Sequence, residues 1–72
     1  MTPEWQDVDS TMIVAEAYDA ELEVIYLRFK GGREYYYESC PPHIWEAFTA
    51  HGQSRGEYFN AVIKFKPNGK WV

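Results

Sequence analysis

The chain has 72 residues, a formal net charge of −4 and a single cysteine, Cys40. This length corresponds to one domain, one cysteine excludes an intramolecular disulfide, and the His, Cys and carboxylate residues lack structural-zinc spacing. We therefore expect the aromatic residues, which are three Trp, six Tyr and four Phe, to supply most of the core of this small domain.

Acidic and basic residues are separated along the chain. Residues 1–24 hold seven acidic groups and no basic one, whereas the basic residues of 52–72 are Arg55, Lys64, Lys66 and Lys70. Overall acidity argues against promiscuous nucleic-acid binding, because phosphate neutralisation dominates that affinity, but the basic end permits a local interaction. A signal-peptide pattern and an apolar run of about 20 residues are both missing, so we expect a cytoplasmic protein with no membrane partner.

The first half of the chain predicts three antiparallel strands after an acidic leader. We expect residues 1–9 to be partly disordered, with Trp5 as an anchor, and residues 10–72 to form a single domain. Alternating apolar residues and turn signals predict the strands Met12–Tyr18, Leu22–Phe29 and Arg33–Glu38.

The turn Lys30-Gly31-Gly32 decides which tyrosines are buried. A two-residue Gly-Gly loop would place Tyr36 on the face of Leu27. A three-residue loop, with Gly32 in the left-handed conformation, shifts the register by one residue. We prefer the three-residue loop, because it groups Tyr35 and Tyr37 with the apolar side chains and exposes the glutamates that flank Tyr36.

The second half predicts two short helices. Pro41 suits a first helical turn, and the apolar spacing of the residues after it is helical. Ser54 and Glu57 form a capping box for the second helix, and we expect the turn that follows it to fold Phe65 and Trp71 back onto the body. The expected fold is α+β, a three-stranded antiparallel sheet with both helices on one face. Its predicted core consists of Ile25, Leu27, Phe29, Tyr35, Tyr37, Ile44, Phe48, Phe59 and Ile63.

Residues 10–65 resemble the KTSC domain, which occurs at the C-terminus of some lysyl-tRNA synthetases and as a stand-alone bacterial protein. The matching pieces, in order, are Ala17-Tyr18-Asp19, Leu27-Arg28-Phe29-Lys30 with Gly32, the pair Tyr35 and Tyr37, Cys40-Pro41 in place of the family's Val-Pro, Ser54-x-Gly56-x-Tyr58-Phe59-Asn60, and Ile63-Lys64. The resemblance implies no established activity. RNA binding is suggested for the family mainly by its attachment to a synthetase, and the acidic first third of this chain departs from that picture.

Two arrangements invite a catalytic or base-stacking interpretation, and we favour a structural one for both. Cys40 precedes a helix with His43 and His51 nearby, but a nucleophilic thiolate needs an oriented base, and the family has valine at this position. Tyr36 lies between Glu34 and Glu38, whose charges would repel phosphate. We therefore expect a non-enzymatic protein with no cofactor, metal or small-molecule substrate.

Two binding functions stay open. The first is RNA binding through the basic C-terminal third, with the candidate residues Arg55, Gly56, Tyr58, Asn60, Lys64, Lys66 and Lys70. The second is interaction with another protein, or with a second copy of the chain, through a sheet face that the helices leave partly open. Its candidate contact residues are Met12, Val14, Tyr26 and Tyr36.

Overall fold

The computed structural model describes residues 3–71, so residues 1 and 2 of the predicted leader and residue 72 lie outside the described part. Its strands are β1 (Gln6–Asp7), β2 (Ile13–Asp19), β3 (Val24–Phe29), β4 (Glu34–Tyr37) and β5 (Asn68–Lys70). Its helices are α1 (Pro42–Phe48), α2 (Arg55–Ala61) and a short 3-10 helix (Ile63–Phe65).

The α+β class and the two α-helices are confirmed, but the predicted strand number is wrong. The described residues form one antiparallel sheet of five strands in the order β1-β2-β3-β4-β5. The two additional strands are the edge strands, β1 within the expected leader and β5 within the expected turn after the helices. Both are very short and polar, so neither carries an alternating apolar pattern that a sequence would reveal.

The β3–β4 hairpin adopts the predicted three-residue loop. Gly31 and Gly32 both have positive φ, at 97° and 92°, which is costly for residues with a side chain. Leu27 faces Tyr35 and Ile25 faces Tyr37 across the two strands, so these four side chains share one face. The register prediction is therefore confirmed.

The face of the sheet that packs against the helices, called here the helix face, carries the main core. A bulge at Val14 shifts the register of β2, and it places Glu16 opposite the buried Leu27. The buried residues of this core are Ile13, Ile25, Leu27, Tyr37, Cys40, Phe48, Phe59 and Ile63. Of the predicted core residues, Phe29, Tyr35 and Ile44 are only partly buried, and they pack against its edge.

The opposite face, called here the far face, carries a second and smaller core. Ala17, Val24 and Tyr26 are buried there, and Trp5, Tyr36 and Trp71 are partly buried against them. The ring of Trp71 meets that of Tyr26 edge to face, with centroids 4.8 Å apart. The side chains of the two chain ends therefore cover much of the face that the helices leave free.

Candidate functional site

Arg55 is the predicted RNA contact whose environment differs most from expectation. Its Nε and Nη2 donate to the two carboxylate oxygens of Glu16 at 2.8 and 2.9 Å, and Glu16 is only 3% exposed. The guanidinium also lies 5.4 Å from the centre of the Phe48 ring. The hydrogen bond to Glu16 raises the pKa of Arg55, so the guanidinium stays charged. Arg55 therefore ties α2 to β2, and its charge is already neutralised locally.

The rest of the α2 motif also has structural roles. A Cβ atom on Gly56 would lie 3.2 Å from Sδ of Met12, so glycine allows α2 to approach the start of β2 closely. Tyr58 packs against the main core beside Phe48, with ring centroids 6.0 Å apart. Asn60 is exposed on α2. The Ser54 hydroxyl accepts from the Glu57 amide at 3.3 Å, which is one half of the predicted capping box.

The remaining basic candidates lie together on one exposed segment, residues 64–70, called here the basic segment. Lys64 and Lys70 are exposed and Lys66 is half-buried, and none of the three lies within 4 Å of a carboxylate of the described residues. Seven residues span at most about 25 Å even when fully extended. The backbones of the three lysines are therefore separated by no more than this distance.

Phe65 is the residue of this segment that sequence reasoning missed. We expected it to fold back onto the body together with Trp71, and only Trp71 does so. The Phe65 side chain is 72% exposed, and Nζ of Lys64 lies 5.4 Å from the centre of its ring. The pattern Lys64-Phe65-Lys66 was the available signal, because an aromatic residue between lysines is typical of surfaces that stack bases.

The residues proposed for protein interaction do not form one patch. Met12 packs against the main core on the side of the helices, and Val14 occupies the bulge of β2. Tyr26 is 8% exposed, and Tyr36 covers Gly69, where an added Cβ would lie 2.5 Å from the tyrosine hydroxyl. Of the four residues, Tyr26 is buried, and Met12, Val14 and Tyr36 are partly buried.

Cys40 is fully buried and is not accessible as a nucleophile. Its exposure is 0%, and its thiol lies 3.5 Å from the Glu38 carbonyl oxygen. Burial raises the pKa of the Cys40 thiol, and the nearby Lys66 offsets this only in part. His43 and His51 are exposed on the surface. Cys40 thus behaves as a small apolar residue, as expected from the valine of the family.

Neither a membrane-spanning helix nor a metal-binding group of side chains is found among residues 3–71. The helices there are too short and too polar for any of them to cross a membrane. Within the same range, His, Cys, Asp and Glu side chains nowhere form a group of three that could hold a metal ion.

The sequence model of the KTSC domain family matches residues 9–66 of the chain. The chain is 36% identical over 59 residues to a protein from Tsukamurella paurometabola, covering 82% of this chain and 87% of that one. It is 32% identical over 57 residues to an uncharacterised protein from Stutzerimonas stutzeri, covering 79% of each. The crystal structure of a KTSC domain protein from Yersinia pestis superposes with a TM-score of 0.87 at 26% identity, covering 99% of this chain and all of that one.

The chain therefore belongs to the KTSC domain family. The structure from Yersinia pestis has the same architecture over its whole length, so the two additional edge strands fall within the superposed region.

Proposed function

We propose that the protein is a non-catalytic module that binds single-stranded RNA through the basic segment, residues 64–70, with Phe65 as its stacking residue. The observation that carries this proposal is the exposed Phe65 ring, 72% accessible, beside Lys64 and Lys66. Removal of the exposed apolar area of this ring from water is favourable, so a partner that stacks on the ring gains binding energy. A nucleotide suits this site, because its base has a π-face that can stack on the ring and its phosphate is attracted by the lysines.

The proposal differs from the one drawn from the sequence in the residues that it uses. Arg55 is engaged by Glu16 and Tyr58 is packed on the core, so neither is included. Lys64, Lys66 and Lys70 are retained, and Phe65 is added. RNA is named in preference to DNA only because of the domain's occurrence on synthetases that bind tRNA.

The charge of the whole protein limits the affinity to be expected. The net charge is −4, and the acidic residues concentrate in the first third of the chain. Three lysines supply only a small counterion-release contribution. We therefore expect weak, salt-sensitive binding that depends on the stacked base as much as on charge.

A non-catalytic role is supported by the state of the one nucleophile that the sequence singled out. The buried Cys40, with its raised thiol pKa, is unsuited to attack a substrate. The aromatic and basic residues of residues 64–70 offer binding contacts but no nucleophile paired with a base.

The test compares Phe65→Ala with Leu22→Ala. These are the two exposed large apolar side chains of the described residues, at 72% and 67%, so truncation of either should leave the fold intact. Loss of a stacked base costs about 1–3 kcal/mol, which corresponds to roughly a 5- to 150-fold loss of affinity. We expect this loss for Phe65→Ala and no change for Leu22→Ala, measured by fluorescence anisotropy with a labelled single-stranded oligouridine at low salt.

Two further measurements sharpen the result. Each substitution of Lys64 or Lys66 by alanine should flatten the plot of log affinity against log salt by about 0.7. A DNA oligonucleotide of the same sequence tests the choice of RNA. Equal affinities of the Phe65 and Leu22 variants would remove Phe65 from the site, and an absence of RNA binding by the wild type at low salt would contradict the proposed function.

A further inference from the structure

A cavity of about 410 Å³ lies at the end of β2. Acidic residues line it, so its charge is opposite to that of the basic segment. Its lining includes the acidic residues Glu4, Asp19 and Glu21 and the aromatic residues Tyr18 and Tyr26, and none of its described lining residues is Lys, Arg or His. This volume is within the range of small-molecule sites. Neither the resemblance to the family nor the proposed function assigns any role to these residues.

Two of the lining side chains are more than nine-tenths buried, and each has a polar atom without a hydrogen-bond partner among residues 3–71. Asp19 and Tyr26 are each 8% exposed. Oδ1 of Asp19 accepts from the amides of Glu21 and Leu22, both at 3.0 Å. Among residues 3–71, Oδ2 of Asp19 and the Tyr26 hydroxyl make no hydrogen bond, and neither is sealed from solvent.

The chemistry of the cavity selects the class of ligand. Its carboxylates exclude anions, and they do not converge as a group of three that could hold a metal ion within the described chain. Carboxylates combined with aromatic walls are a usual environment for organic ammonium ions, which gain both ion pairing and a cation–π contact. Burial and the Asp19 charge raise the pKa of Tyr26, so its hydroxyl stays neutral and offers a lone pair at physiological pH.

We propose that this cavity binds a primary alkylammonium ion, with Asp19 as the counter-ion and Tyr26 as a hydrogen-bond acceptor. A second cavity of about 240 Å³ shares Glu4 and Tyr18 with the first and extends to Trp45. Because the two cavities adjoin at Glu4 and Tyr18, we choose a diamine, which carries a second ammonium group, as the test ligand. The same chemistry is offered by a free diamine and by a lysine side chain of a peptide, and the experiment separates these two sources.

The test is an amide-shift NMR titration with 1,4-diaminobutane, with 1,4-butanediol as the neutral ligand of similar shape, and with a lysine residue blocked at both ends. Binding of the diamine, but not of the diol, should shift the amides of Asp19 to Glu21 and of Tyr26. Stronger binding of the diamine than of the blocked lysine identifies a free polyamine as the source, and the reverse order identifies a peptide side chain. Equal shifts with diamine and diol would overturn the proposal.

Substitutions localise the site. Asp19→Asn keeps the side-chain oxygen that accepts the two turn amides but removes the charge, and we expect about a tenfold loss of diamine affinity. Tyr26→Phe keeps the buried ring, and its affinity for the diamine should fall a few-fold. Glu38→Gln, which removes an exposed charge outside the cavity, is the matched control and should change affinity less than twofold.

Glu21→Gln gives a second measure if Asp19→Asn perturbs the fold, because Glu21 is exposed and its side chain closes no turn. It should weaken diamine binding more than Glu38→Gln does. Losses that are equal at Asp19, Glu21 and Glu38 would show only a general charge effect, and they would contradict a site at this cavity.

Discussion

The two faces of the sheet are built by different means. On the helix face, buried residues of the helices pack against the aliphatic side chains of β2 and β3. They are Phe48 of α1, Phe59 of α2 and Ile63 of the 3-10 helix. On the far face no helix is present within the described residues, and the cover consists of Trp5 and Trp71 from the two chain ends. The first face is covered by regular elements and the second by individual rings.

This difference follows the boundaries of the family match. The family model spans residues 9–66, which includes all of the buried residues of the helix face and excludes Trp5 and Trp71. A small domain buries a limited share of its surface, so the helix face must supply most of the stability. The far face adds a thinner layer, in which Arg28 lies 4.5 Å from the Trp5 ring and pairs with Glu34 at 2.6 Å.

The largest effect expected from this comparison is at Phe48. Its side chain is fully buried, and Phe48→Ala leaves a cavity in the main core, which costs about 3–5 kcal/mol. Trp71→Ala removes a larger ring, but one that is only partly buried at the edge of β5, and we expect a loss of about 1–2 kcal/mol. Urea unfolding followed by far-ultraviolet circular dichroism measures both, because this signal does not depend on the tryptophan that is removed.

A loss at Trp71 equal to that at Phe48 would show that the two faces contribute alike, contrary to this account. Total stability of a domain of this size is about 4–11 kcal/mol, so Phe48→Ala is expected to be close to unfolding at 25 °C. Phe48→Leu, which retains most of the volume, keeps the comparison measurable in that case.

The second prediction concerns the ion pair between Arg55 and Glu16, which joins α2 to β2. Arg55→Met keeps the unbranched stem of the side chain but leaves the Glu16 carboxylate buried without a partner, which we expect to cost about 3 kcal/mol. Replacing both residues by methionine removes the uncompensated charge, so the double variant should recover most of this loss. The measurement is the free energy of unfolding in urea for the wild type, both single variants and the double variant.

If the double variant were as unstable as Arg55→Met, then lost packing and not the buried charge would be the cause. If Arg55→Met instead left stability unchanged and reduced RNA affinity, the guanidinium would belong to the RNA site after all.

The central parts of the fold were predictable because local chemistry determines them. The glycines of the turn Lys30-Gly31-Gly32 admit the positive φ values of a three-residue loop, and this loop fixes the register that places Tyr35 and Tyr37 on the helix face. The helices follow from apolar spacing and from the Ser54 cap. In each case a short stretch of sequence carries enough information to decide the structure.

The missed features depend on contacts distant in sequence. The partner of Arg55 is 39 residues away, and the bulge at Val14 that turns Glu16 toward it has no signature in the sequence. Edge strands β1 and β5 exist because neighbouring strands offer free backbone groups, not because their own residues favour strands. Phe65 and Trp71 are both aromatic and close in sequence, and only the path of β5 decides that one is exposed and the other packed.

The third prediction uses a buried tyrosine on each face and has the smallest expected effect. Burial raises the pKa of Tyr37, on the helix face, to about 12, whereas an unfolded tyrosine titrates near 10. Because the folded state favours the neutral phenol, its stabilising contribution is complete below about pH 10 and is lost as pH rises through about 12. At pH 11.5 this amounts to about 2 kcal/mol.

The free energy of unfolding of Tyr37→Phe should therefore differ little from that of the wild type at pH 8. Between pH 8 and pH 11.5, the variant should lose about 2 kcal/mol less of this free energy than the wild type does. The pKa of Tyr26, on the far face, is raised by burial and by Asp19, so Tyr26→Phe should act in the same direction. Its effect is expected to be smaller because single rings from the chain ends, and not packed helices, cover Tyr26. Urea unfolding at the two pH values measures all three proteins. A larger effect at Tyr26 than at Tyr37 would mean that the far face excludes water better than the helix face, and the contrast between the two cores would then be reversed.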